Sequence, residues 1–181
     1  MINSKKELKE VLSKEFPLYF GKKDKFRFFK LFLLNDHDYL IWKFVRLLRY
    51  TEYHYNVNHK IRYYFYERRK NKLGAFLGFT LFQNTIDSGL KIYHYGSIII
   101  NGNARIGKNC QLHGDNCIGN KGLFNQEAPI IGNNVDIGVG AKIIGPVHVA
   151  DNVKIGANAV VVKSCEHEGA VLVGIPAHEI F

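Results

Sequence analysis

From Ile131 onward an aliphatic side chain returns at every sixth position: Ile131, Ile137, Ile143, Val149, Ile155 and Val161. Four residues after each of the first five stands a small or β-branched one: Val135, Ala141, Val147, Val153 and Ala159. Ile100, Ile106, Leu112 and Ile118 keep the same period in a phase of their own, because Ile118 and Ile131 are thirteen positions apart. That offset sets a polar loop, Asn120 to Pro129, outside the repeat. A period of six suits neither a helix nor simple alternation. It predicts a parallel β-helix, in which each hexapeptide makes one short strand and one corner, and three of them make a coil. Coils then stack at ~4.8 Å with the aliphatic residues inside. Asn103, Asn109, Asn133, Asn134, Asn152 and Asn158 are candidates for corners with positive φ.

The chain before the repeat has helical periodicity. Ser4 followed by Glu7 forms a capping box and opens a helix from Lys5 to about Phe16, ended by Pro17 and Gly21. A second helix starts near Asp36 or Asp38 and puts Leu40, Phe44, Leu47 and Leu48 on one face. A third runs from about Asn58 to Lys72, with Gly74 as its stop. The chain therefore divides into a helical region, 1–75, and a β-helix region, 76–181, which closes with a C-terminal turn.

Composition sharpens this division. Residues 1–75 carry 18 Lys/Arg against 8 Asp/Glu, whereas residues 76–181 carry 7 against 8. Twenty of the 24 aromatic residues precede residue 83, and 14 of 17 Gly lie from Gly89 onward. The basic aromatic front could be core packing with a solvated helix end, or a surface for an anionic or lipid-linked substrate. Contact with a membrane surface stays open. No recognised motif accompanies the charge, so a nucleic acid partner is not expected. No apolar run approaches the ~18 residues of a membrane span, and no signal peptide is expected after Met1. Three Cys, an odd number, suit a reducing cytoplasm better than a disulfide framework.

Residues of about 80–180 resemble the hexapeptide-repeat acyltransferases, which have a left-handed parallel β-helix. The resemblance is carried by I-Y-H-Y-G-S-I-I-I-N-G-N-A-R-I-G (92–107), L-H-G-D-N-C-I-G-N-K-G (112–122), A-P-I-I-G-N-N-V-D-I-G-V-G-A-K-I-I-G (128–145) and V-G-I-P-A (173–177). It is greatest to the serine acetyltransferase branch and its relatives in capsule and O-antigen gene clusters. It implies an acetyl-CoA-dependent O-acetyltransferase, a mainly β fold behind the small helical front, and a homotrimer with acetyl-CoA in the grooves between subunits. It implies no metal. His94 falls on the family's catalytic His. A hydroxyl must lose its proton as it attacks a thioester, and His titrates in the useful range. His113, 19 residues later, is expected about one coil on and beside His94. Gly119 and Asn120 would lie near the thioester. Ala141 and Ala159, 18 residues apart, would stack on one wall and leave backbone groups open to the pantetheine amides, and Lys163 would meet the CoA phosphates.

Three departures bear on the acceptor. Tyr93 stands where the family has an Asp before the catalytic His. The family's His-orienting Asp, one coil earlier, falls near Phe79 or Thr80. The family's D-R-H-P loop corresponds to Gln126, Glu127, Ala128 and Pro129. A carboxylate clamp needs an Arg fork, and Glu127 would repel a carboxylate. The expectation is therefore a sugar hydroxyl of a surface polysaccharide or its precursor as acceptor. Serine O-acetylation for cysteine synthesis is the alternative, and a non-catalytic β-helix that binds a polysaccharide is a reading of another class.

Overall fold

The computed structural model describes residues 1–21, 25–122 and 126–180. Four helices come first: α1 (Lys5–Phe20), α2 (Lys25–Leu33), α3 (His37–Asn56) and α4 (Lys60–Leu77). Among the described residues, fourteen short strands follow: β1 (Phe79–Thr80), β2 (Lys91–Ile92), β3 (Ile98–Ile100), β4 (Arg105–Ile106), β5 (Gln111–Leu112), β6 (Cys117–Gly119), β7 (Ile130–Ile131), β8 (Asp136–Ile137), β9 (Lys142–Ile144), β10 (His148–Val149), β11 (Lys154–Ile155), β12 (Val160–Val161), β13 (Val171–Val173) and β14 (His178–Ile180). They form three sheets, β1-β3-β6-β9-β12, β4-β7-β10 and β2-β5-β8-β11-β13-β14, parallel except for the closing antiparallel pair β13–β14. This is the expected left-handed parallel β-helix behind a helical front.

All ten periodic aliphatic residues are buried inside the prism, and so are Val135, Ala141, Val147, Val153 and Ala159. The usual coil is 18 residues, as in Ile100 beside Ile118 and Ile143 beside Val161. The coil that carries the polar loop is longer: Ile106 pairs with Ile131, twenty-five positions on. That is one hexapeptide plus one residue more than usual, which accounts for the change of phase. Leu123, Phe124 and Asn125 of that loop lie outside the described residues.

Asn109, Asn134, Asn152 and Asn158 hold positive φ, as expected of corners, but Asn103 and Asn133 do not. Three of them form a ladder up one corner: Asn109 Nδ2 donates to Asn134 Oδ1 at 2.7 Å, and Asn134 Nδ2 to Asn152 Oδ1 at 2.9 Å. Their short amides tolerate the left-handed backbone and bond to the coil above. Asn133 is used differently, holding Asp151 through its own N–H and Nδ2. Cys110 is sealed inside and burial pushes its thiol up to about 12, so it packs as an inert apolar group.

The helices differ from expectation in three places. Glu7 does accept at the start of α1, but from the Asn3 N–H, while Ser4 Oγ accepts from the Glu7 N–H. Pro17 does not end α1, which continues to Phe20 and stops at Gly21. Gly74 is inside α4, and the left-handed stop is Gly78, at φ 80°. Gly74 is small for another reason: a β-carbon there would come within 2.7 Å of the Phe79 carbonyl and 3.1 Å of the Phe44 ring. The helix α2, which the sequence pattern does not announce, packs Phe28 and Leu31 on the core.

The helical front seals the open end of the β-helix. Arg49, buried in α3, donates to the Ile86 and Asp87 carbonyls at 2.7 Å each. It also donates to Glu15 Oε1 at 2.7 Å and Glu52 Oε2 at 3.0 Å. Glu15 in turn accepts from the Gly89 and Leu90 N–H groups. The Tyr19 hydroxyl donates to the Leu90 carbonyl and accepts from the Ile92 N–H. Burial opposes the charge of Arg49, yet Glu15 and Glu52 hold its guanidinium above the ordinary value. Removing one member of such a network leaves uncompensated buried charge. Arg49→Ala is expected to lower the unfolding free energy by about 3–5 kcal/mol. Urea denaturation followed by circular dichroism checks this, and a loss below ~1 kcal/mol would mean that the pair is dispensable.

Candidate active site

The corner between β2 and β3 carries His94. Its ring is exposed and faces the first turn of α3, where His37 lies nearly parallel to it, with ring centroids 6.2 Å apart. Asp36 caps α3 by accepting the Asp38 N–H at 3.0 Å, and this fixes the turn that presents His37. The His37 ring lies between two carboxylates, with Nδ1 3.4 Å from Asp36 and Nε2 3.6 Å from Asp38. Asp38 also pairs with Arg27 at 3.5 Å and Lys91 at 3.8 Å. Burial lowers the Lys91 ammonium below its ordinary value, against the opposing pull of Asp38.

His113 does not meet His94. The coil at this corner is longer than 18 residues, since Lys91 pairs with Gln111, twenty positions on. The register therefore sets Tyr93 beside His113, with rings stacked 4.4 Å apart, and His94 beside Gly114. A β-carbon on Gly114 would sit 3.6 Å from that of His94, so the glycine leaves room beside the imidazole. His113 instead bonds through Nε2 to Asp136 Oδ1 at 2.7 Å, and the Tyr93 hydroxyl donates to Gln111 Oε1 at 2.7 Å. A carboxylate that orients an imidazole is the arrangement a base needs. Here it belongs to His113, one step along the wall from His94.

No carboxylate reaches the corner from Phe79 or Thr80. Phe79 is buried against Phe44, and Thr80 faces outward with no acid. The acids at this corner are Asp36 and Asp38 of the helical front and Asp115, which accepts the Ser97 N–H at 3.1 Å. Sequence reasoning missed His37 and Asp136. The signal for the first was the Asp36-His37-Asp38 triplet at a helix start. The second was hidden by the loop, which lengthens the coil between His113 and its partner.

Gly119 ends β6 and its carbonyl accepts from the Gly145 N–H, with Asn120 half-buried just beyond. Ala141 and Ala159 do stack on one wall, but their backbone groups are not open as expected. The Ala141 N–H donates to Gly138 and its carbonyl accepts from Cys117, while the Ala159 N–H donates to Gly156 and its carbonyl accepts from Lys142. The parallel ladder uses the groups that a ligand would have needed, leaving second lone pairs on the carbonyls. Lys163 is exposed just past β12. At the loop, Glu127 and Ala128 replace the expected Arg and His, and Glu127 is exposed. Arg105 stands beside them. Its N–H donates to the Pro129 carbonyl, and its guanidinium projects outward with Nη1 on the Gly102 and Ala104 carbonyls. Among the described residues no group of three His, Cys, Asp or Glu is placed to hold a metal ion, and no helix is long and apolar enough to cross a membrane.

No family model matches the chain. It is 36% identical over 125 residues to a serine acetyltransferase of Helicobacter pylori, across 67% of this chain and 72% of that protein. Its fold matches the crystal structure of serine acetyltransferase from Brucella abortus with a TM-score of 0.77 at 23% identity, covering 97% of this chain and 69% of that one. It also matches a serine acetyltransferase solved in complex with CoA, with a TM-score of 0.76 at 21% identity, covering 97% and 71%. These relatives overturn the expectation of a sugar hydroxyl as acceptor, because they are serine acetyltransferases. The expectation rested on the missing Arg at the loop. Arg105, one strand spacing away, weakens that argument.

The His113–Asp136 pair is about one-third exposed on both sides. An exposed pair contributes little to stability and can still fix a ring. Asp136→Asn is therefore expected to change the unfolding free energy by less than about 1 kcal/mol, while releasing the His113 ring in a crystal structure of the variant. Destabilisation above ~2 kcal/mol would make the pair a structural brace instead.

Proposed function

We propose a function from one premise: the chain belongs to the serine acetyltransferase family. It transfers the acetyl group of acetyl-CoA to the hydroxyl of serine. That membership carries the reading, and the exposed imidazole of His94 at the β2–β3 corner agrees with it.

In this reading His94 takes the proton of the serine hydroxyl as the oxygen attacks the thioester carbonyl. The tetrahedral oxyanion is stabilised by backbone N–H groups near the thioester. Its collapse expels the CoA thiolate, which recovers the proton from the imidazolium. His113, held by Asp136, lines the same wall and orders its polar face. The serine ammonium suits the acidic start of α3, where Asp36 and Asp38 flank His37. Arg105 lies in a different sheet from the His94 corner, so the serine carboxylate is assigned to Arg105 of a neighbouring subunit in the trimer, where its fork stands in for the Arg that Glu127 replaces. Gly119 and Asn120 border the thioester, the second lone pairs of the Ala141 and Ala159 carbonyls are left for the pantetheine amides, and Lys163 supplies a point charge for the CoA phosphates. Three free thiols suit a reducing cytoplasm. The outer walls leave Ile99, Ile130, Val139 and Val162 exposed. This supports a trimer in which neighbouring walls cover one another and enclose the donor groove.

The test is release of free CoA thiol from acetyl-CoA in the presence of L-serine, with a glycan panel as control. L-serine is expected to drive turnover and the glycans to leave the hydrolysis background unchanged. His94→Ala should cut kcat by about 10²–10⁴-fold, the usual worth of a general base, with an unchanged Tm. His113→Ala should cost less. A loss as large for His113 as for His94 would move the base to the Asp136-held imidazole.

Arg105→Leu is expected to raise KM for L-serine by about tenfold or more, the worth of a charged hydrogen bond, with kcat within a small factor of the parent. Arg105→Lys should restore only part, because Lys lacks the fork. An unchanged KM in Arg105→Leu would remove Arg105 from the acceptor site.

A further inference from the structure

The helical front contains a groove between α1, α3 and α4, with a cavity volume of about 1100 Å³. That is slightly above the roughly 300–1,000 Å³ of ordinary small-molecule sites. None of its lining residues belongs to the β2–β3 corner. Phe16, Tyr50 and Tyr66 line it as half-buried rings, with Trp42 and Tyr53 of α3 buried beneath them. Tyr66 of α4 stacks on Tyr50 at 4.9 Å and on His54 at 5.2 Å. Leu8, Leu12 and Phe16 of α1 complete the apolar wall.

Its charge has one sign. The charged side chains that line it are Lys5, Lys9 and Arg62, and no carboxylate does. All three are exposed at the rim. An apolar body lying along the rings would therefore meet only cations at its polar end. A neutral guest would forgo that attraction, and a cationic guest would be repelled. The groove is concave, whereas a bilayer is met by an apolar face that protrudes. Burial, with His59 and Arg62 nearby, lowers the His54 imidazole, so it lines the groove as a neutral donor or acceptor.

We infer that this groove binds a soluble amphipathic carboxylate, with its apolar chain on the Phe16, Tyr50 and Tyr66 rings and its acid group among Lys5, Lys9 and Arg62. The site is separate from acetyl transfer. α3 joins the two, carrying His37 at its first residue and Trp42 in its second turn.

Trp42 is the single tryptophan of the chain and packs under Phe16 with ring centroids 5.6 Å apart, so its emission reports changes at the groove wall. The probe is dodecanoate below its micellar concentration, titrated against the full chain, with dodecyltrimethylammonium as the same tail on the opposite charge. A saturable change in Trp42 emission is expected with dodecanoate, at an affinity at least about tenfold above the cationic analogue. Lys9→Glu combined with Arg62→Glu should weaken dodecanoate by about tenfold or more, with an unchanged circular dichroism spectrum. Lys9→Gln alone gives a milder variant should the double change disturb folding, and it should weaken binding in the same direction. Equal response to both detergents, or no saturable response, overturns the inference. So does an emission change that follows protein concentration together with a rise in scattering mass, which would make a second copy of the chain the occupant.

Discussion

The first coil of a parallel β-helix has no coil before it, and its backbone groups must be satisfied by something else. Here much of that task falls to side chains from the helices, with Lys70 donating to the Leu81 carbonyl and three others doing more. Glu15 accepts from two N–H groups, Arg49 donates to two carbonyls, and the Tyr19 hydroxyl serves one of each. An unsatisfied buried backbone group costs about as much as a lost hydrogen bond each time, so a bare prism end would expose or waste all of them. The arrangement also joins the two regions into one core, because the buried apolar cluster runs without a break from Tyr19 and Trp42 to Leu172. The first turn of α3 then stands over the β2–β3 corner because the far end of the same helix is tied to the prism by Arg49. The position of His37 beside His94 follows from a contact more than two helical turns away.

Much of this was legible in the sequence. The six-residue period located ten inward aliphatic residues from Ile100 to Val161, since a closed prism has no room for a polar side chain at those positions and so leaves a regular mark; Leu90, Ile92, Ile98 and Leu172 lie inside as well, without having been read from it. The extra loop was legible too, as a change of phase. What the period could not convey was coil length at a single corner. His113 was expected beside His94 on an assumed coil of about 19, and the actual spacing of 20 at β2–β5 moved it one residue, onto Tyr93. In a strand a shift of one residue changes which side chain faces a given neighbour. A small error in loop length therefore becomes a complete change of partner.

The helical front was less legible for a different reason. Its basic residues were read as a solvated helix end or a substrate surface. Two of its cations are buried instead: Arg49 in the capping network, and Lys70, which donates to the Leu81 carbonyl and pairs with Glu67. Burial lowers the Lys70 ammonium below its ordinary value, which Glu67 only partly opposes. Nothing in a one-dimensional charge pattern separates a buried cation that satisfies a carbonyl from an exposed one. The distinction depends on which loop the helix meets. The same holds for Gly74, whose spacing reads as a stop signal but whose size is set by Phe79 and Phe44.

In the proposed acceptor site, the chemistry is kept while a residue moves. A carboxylate needs donors in a fixed plane, and it is indifferent to which segment supplies them. In the hexapeptide fold, residues of successive coils stand one strand spacing apart, so a side chain lost from a loop can be replaced from the strand beneath it. Arg105 occupies that place under Pro129, with its backbone already locked to the loop. Two carbonyls, those of Gly102 and Ala104, hold one guanidinium nitrogen and leave the opposite edge facing outward. The absence of Arg at position 127 removes one donor from one segment, and it does not by itself remove the fork. Reading acceptor choice from that single loop position failed against the serine acetyltransferase relatives, and the proposed role of Arg105 would account for it, since specificity then belongs to the surface that adjacent coils build together.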